Sequence, residues 1–123
     1  MESLPAVGRL DALVLKLRHP LAKIRFRSLH ALLFKLQERL VCWQELEPLQ
    51  NVLIPALLAN LEPPLELKTL HVLQLLLQSQ SEIFVASLQH HGAAQKLQRA
   101  ANANPELQST YEKVKNHVLK SLS

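Results

Sequence analysis

Composition, turn content and an internal period place this chain in the all-α class, as a stack of armadillo/HEAT-like helical repeats with about six to seven helices. Leucine fills 29 of the 123 positions, against 3 isoleucines and 8 valines, and aromatic residues make up 4%. Leucine favours helices, whereas β-branched and aromatic residues favour strands. Only Gly8 and Gly92 are glycine, too few for a chain of tight hairpins. The period appears when residue n is set over residue n+41. Leu17 then falls on Leu58, Ile24 on Leu65, Arg27 on Lys68 and Ser28 on Thr69. Leu29-His30 falls on Leu70-His71, Leu32 on Leu73 and Leu36 on Leu77. "HVL" at 71–73 recurs at 117–119, 46 positions on, which makes "ANANPE" an insertion in a third copy. A helical repeat of about 40 to 47 residues marks armadillo and HEAT stacks, whose units bury their apolar faces only against neighbours.

The elements follow from prolines, caps and apolar spacing. The first helix runs over about 7–18. Pro20, Pro48, Pro64 and Pro105 each precede a leucine-periodic run, and proline is tolerated in a helix's first turn because that N–H has no intrahelical acceptor. Helices are therefore expected over about 20–41, 47–61, 64–79 and 105–122, with a turn near Cys42–Glu45. Pro55 is expected to kink or split the third of these. Ser81 beside Glu82 opens a helix over about 81–91, and Gly92 closes it as a left-handed cap. A further helix covers about 93–102. Residues 65–77 are apolar almost all round, with Leu67, His71, Gln74 and Gln78 on the least apolar side. That helix is expected to be the most buried.

The stretch "KLRHPLAKIRFRSLHALLFKL" at 16–36 is the most basic part of the chain. At 100° per residue, Leu21, Ile24, Leu29, Ala31, Leu32, Leu33, Leu36 and Leu40 share one broad arc. Lys23, Arg27, His30, Phe34 and Glu38 lie opposite. The first four form a candidate protein-contact surface, with Phe34 as its anchor, since aromatic residues ringed by charge recur at interface centres. Arg25 points into the apolar arc. Two arrangements suit it: a stem that snorkels outward, or a structural ion pair with Glu62 or Glu66.

Chemistry is sparse. His30, His71 and His117 are repeat-equivalent, which sets them about 10 Å apart, a layer each, too far to share one ion. His90-His91 precede Gly92 at a helix end, where a cation favours the last carbonyls. Cys42 follows leucine and valine and is read as a buried, inert thiol. A lone cysteine excludes an internal disulfide. Motifs for phosphate loops, nucleophile elbows, zinc proteases and calcium loops are lacking. The expectation is no enzyme, no catalytic residue, no cofactor and no metal.

Charge is uneven. Residues 1–40 carry +5, residues 41–91 carry −4 and residues 92–123 carry +3. A uniformly basic nucleic-acid binder lacks such an acidic middle. Alternation suits layers that attract, or two ends that bind different things. No apolar run approaches the about 20 residues of a membrane span, so a cytosolic or nuclear place and no membrane insertion are expected.

"KLRHPLAKIRFRSL" at 16–29 and "FKLQERLVCWQEL" at 34–46 resemble the N-terminus of rotatin-family proteins, which include the insect anastral-spindle members. The matching residues are Lys16-Leu17, His19, Leu21, Ile24-Arg25, Arg27, Leu29, Lys35 and Leu40-Val41-Cys42. The match covers about residues 10–50; beyond them only helix spacing and "LIPALL…LELKTLHVLQLLL" agree. The resemblance implies a very long armadillo-like protein of centrioles and cilium basal bodies, needed for centriole assembly, centriole integrity and cilium formation. Residues 1–123 would then be one domain, the N-terminal module of a longer scaffold. Its partners would be other centriolar and centrosomal proteins, with self-association allowed and no nucleic acid or small-molecule substrate. Localisation would be cytoplasmic and cytoskeletal. Two alternatives stand beside this reading: a generic armadillo/HEAT adaptor for an unrelated peptide, and a basic binder of nucleic acid or anionic membrane.

Overall fold

The computed structural model describes residues 3–120, with side chains from Leu10 onward. Its elements are α1 (Ser3–Lys16), α2 (Ala22–Gln37), a short α3 (Trp43–Leu46), α4 (Gln50–Ala59), α5 (Glu66–Gln78), α6 (Glu82–His90), α7 (Ala93–Ala103) and α8 (Gln108–Lys120). No strand occurs among the described residues. The fold is an all-α helical stack. Single 3₁₀ turns at Glu47–Leu49 and Pro105–Leu107 lead into α4 and α8. Pro48 and Pro105 therefore sit in these tighter turns rather than at the first position of an α-helix. Pro55 lies inside α4, which stays one helix.

α2 is shorter than its leucine spacing suggests. It stops at Gln37, and Arg39 turns left-handed at φ 58°. The N–H groups of Leu40 and Val41 then both reach back to the Lys35 carbonyl. Leu21 and Leu40 thus fall outside the helix and are exposed at 60% and 62%, so the apolar arc loses both ends. Gln80, 41 positions after Arg39, is left-handed too, at φ 62° after α5. The repeat therefore reaches the backbone as well as the side chains. α6 starts and ends as expected. The Ser81 hydroxyl accepts from the Phe84 N–H, and Gly92 takes φ 68° just past His91.

Two rows of helices enclose the core. α2 packs on α5, and α5 on α8, making one row; α1 packs on α4, and α4 on α7, making the other. α6 fills in against α4. α5, in the middle, buries seven residues, more than α4's five. Leu29 and Leu32 of α2 are equivalent to Leu70 and Leu73 of α5 across the step of 41, and all four are fully buried. Each such leucine contributes about 1.5–3 kcal/mol relative to exposure.

The third layer keeps the same step. Leu70, Leu73 and Leu77 map 41 positions on to Tyr111, Val114 and Val118, all buried. The "HVL" match at 46 instead puts buried Leu73 on Leu119, which is 43% exposed. "ANANPE" is therefore no insertion. It closes α7 and opens the turn into α8.

Buried polar groups tie the layers. Asn60 donates from Nδ2 to the Leu17 carbonyl at 2.9 Å and to the Ala56 carbonyl at 3.0 Å, joining α4 to the end of α1. Thr69 Oγ1 donates to the Leu65 carbonyl at 2.9 Å and reaches the Asn60 carbonyl at 3.3 Å. Glu66, buried at the start of α5, accepts from Asn104 Nδ2 on one oxygen and from Tyr111 Oη at 3.0 Å on the other. Asn104 and Tyr111 bracket Leu107, the residue 41 positions after Glu66, in keeping with that register.

Candidate protein-interaction surface

The solvent side of α2 follows from which of its residues the stack consumes. Ser28, Leu29, Leu32 and Leu33 are buried. What remains outward at helical spacing is Lys23, Arg27, His30 and Phe34, all exposed, with Phe34 half-exposed at 50%. α2 contains no acidic residue, and the one acid of α5, Glu66, is buried. The surface therefore carries net positive charge around an aromatic ring, with exposed Glu38 just past the end of α2.

α5 extends it. Leu67 and His71 are exposed beside Lys68. The Lys68 Nζ lies 5.2 Å from the centroid of the Phe26 ring, a cation–π contact that bridges the two helices. Neither Phe26 nor Lys68 stood among the expected contact residues. The signal that points to Lys68 is its equivalence to Arg27 across the 41-residue step.

Arg25 does not pair with an acid. Its Nη1 donates to the His19 carbonyl at 2.7 Å and to the Pro20 carbonyl at 3.1 Å. The turn from α1 into α2 leaves those carbonyls free of helix partners and within reach of the side chain. Glu66 is taken by Asn104 and Tyr111, and the Glu62 side chain is exposed. The expected ion pair of Arg25 with Glu62 or Glu66 is therefore replaced by carbonyl capping at one end and neutral donors at the other.

Cys42 is exposed, against expectation. It stands ahead of α3, where its N–H at 3.0 Å and its thiol at 3.2 Å both donate to Glu45 Oε2. Those two bonds, the backbone one first, hold the Glu45 carboxyl below its ordinary range. At the end of α6, the His90 and His91 rings meet edge to face at 5.1 Å. Burial, then the charges of His90 and Lys96, push His91 below the usual imidazole value. His30, His71 and His117 are each exposed. Among the described residues no group of three or more His, Cys, Asp or Glu could hold a metal ion, and no helix is long and apolar enough to cross a membrane.

These observations define a class: a short helical-repeat stack with a closed leucine core and a cationic, aromatic-bearing face on the α2–α5 side of one row. No family model matches the chain, and no curated protein or solved structure matches it.

Proposed function

We propose that this chain is a non-enzymatic scaffold module that binds other proteins, and that its place is the centriole and the cilium basal body. One observation carries the binding part. Lys23, Arg27, His30 and Phe34 stand together on α2, with no acid on that helix to satisfy them. Phe34 at 50% exposure is a poor solvent residue and a good anchor. The stack supplies rigidity, because the opposite side of α2 is locked into the core. The centriolar part rests on the rotatin-like stretches at 16–29 and 34–46 alone.

The test has two arms. A tagged chain expressed in ciliated cells is expected at centrioles and basal bodies; diffuse cytoplasmic signal sinks the centriolar reading and leaves a generic adaptor. Capture of purified centriolar proteins is expected to fall in Arg27→Glu/Phe34→Ala with the melting curve unchanged. Binding to anionic vesicles or oligonucleotides that falls linearly in log salt would favour phosphate recognition instead.

A further inference from the structure

The face on α2 repeats on α5, and its repetition implies the shape of what it binds. Arg27 and His30 on α2 are matched by Lys68 and His71 on α5 across the step of 41. Arg27, His30 and His71 are exposed, and Lys68 is held at the seam between the two helices by the Phe26 ring 5.2 Å away. Neighbouring packed helices lie about 8–10 Å apart. An extended chain in the polyproline II form advances about 3.1 Å per residue with about three residues per turn, so side chains three apart share a face and span one layer. A helix laid along α2 alone would leave the α5 pair unused. The third layer breaks the pattern: the same step brings exposed Ser109 and Glu112 of α8 to these places.

We propose that this surface takes an extended acidic segment of a partner protein, laid across α2, α5 and α8, with two carboxylates three residues apart. The first carboxylate meets Arg27 and His30, the second Lys68 and His71. Three residues further the segment carries a cation for Glu112 rather than a third acid. This rests on the reading of the α2 face as a protein-binding surface and adds the occupant's charge, conformation and spacing.

The experiment is fluorescence anisotropy of the whole chain with labelled synthetic peptides. One has the order Glu-x-x-Glu-x-x-Lys, one its reverse, and one the same composition with the two glutamates adjacent. The x positions are alanine and serine. One of the two spaced peptides is expected to bind up to about fivefold tighter than the adjacent one, the ratio at the top of the range for one surface ion pair. Lys68→Glu should abolish that preference, and replacing the middle glutamate of the peptide by lysine should restore binding to this variant. Glu112→Lys should shift preference to a peptide with glutamate at the third place. Equal affinity for spaced and adjacent peptides, no saturable binding at millimolar peptide, or failure of the Lys68→Glu rescue overturns the proposal. If Arg27→Glu/Phe34→Ala still lowers protein capture in that case, the face docks a protein of another shape. If phosphatidylserine vesicles or oligothymidylate bind and lose affinity in Lys68→Glu while all peptides fail, the occupant is a phosphate surface.

Discussion

Glu66 has both carboxylate oxygens engaged by neutral donors, Asn104 Nδ2 and Tyr111 Oη, in a site closed to solvent. A buried carboxylate left short of a donor is costly, because nothing in the core replaces the lost hydrogen bond. Tyr111→Phe is expected to lower stability by about 1–3 kcal/mol in urea melts while keeping the helical spectrum. Burial first, and then the bond and charge of Glu66, raise the Tyr111 phenol above its usual value. The unfolded phenol ionises near 10, so the folded state binds this proton more tightly. The stabilisation is complete below about pH 10 and is lost as pH climbs through the raised folded value. Absorbance at 295 nm should show Tyr111 titrating together with loss of helix, and Tyr111→Phe should remove that alkaline step. A phenol that ionises near 10 with the helices intact would show that the Glu66 site opens without unfolding.

At the element level, α2 separates fold from surface. Arg25 closes the α1–α2 turn through two carbonyls, so Arg25→Ala is expected to cost about 1.5–3 kcal/mol, the range for hydrogen bonds with a charged partner. Arg27→Glu/Phe34→Ala should stay within about 0.5 kcal/mol per site, since both residues are exposed. Thermal melts of the two variants check the assignment; the reverse order of effects would mean that the charged face serves the fold. α6 ends on Gly92 at φ 68°, where an added Cβ meets nothing nearer than Gln95 Oε1 at 4.0 Å. Gly92→Ala should therefore cost only the left-handed backbone penalty of about 1–2 kcal/mol, measurable as a parallel shift of the urea transition.

For the whole molecule, three layers share one core, with Leu29, Leu70 and Tyr111 at equivalent places and fully buried. Stacked repeats gain stability from the interfaces between units, so the middle layer, with a neighbour on each side, carries the most. Leu70→Ala is expected to cost about 2–5 kcal/mol, at the upper end if the rigid neighbours cannot collapse into the gap. Circular dichroism and Trp43 fluorescence should report one coincident transition in urea. A Trp43 signal that moves well before the helical signal would show that the α3 region unfolds on its own.

The helices were legible in the chain because their causes are local. Apolar spacing placed all seven of the longer ones, Ser81 and Gly92 marked both ends of α6, and the angular pattern set Lys23, Arg27, His30 and Phe34 outward, where the fold keeps them. The step of 41 could be read from Leu29-His30 and Leu70-His71 without coordinates. Its third copy could not. Tyr111, Val114 and Val118 share no letters with Leu70, Leu73 and Leu77, only burial, and the chance string "HVL" outweighed them. Partner choice was likewise hidden. Glu66 is engaged by Asn104, 38 residues away, and Tyr111, 45 away, whereas Arg25 finds carbonyls five and six residues back. Cys42 is exposed in the connection between the end of α2 at Gln37 and α3, not in a helix face that the apolar spacing could bury. Local spacing is written into each turn of helix by its own residues. Which acid meets which donor depends on how separate helices come together, and a Coulombic match read along the chain carries no information on that distance.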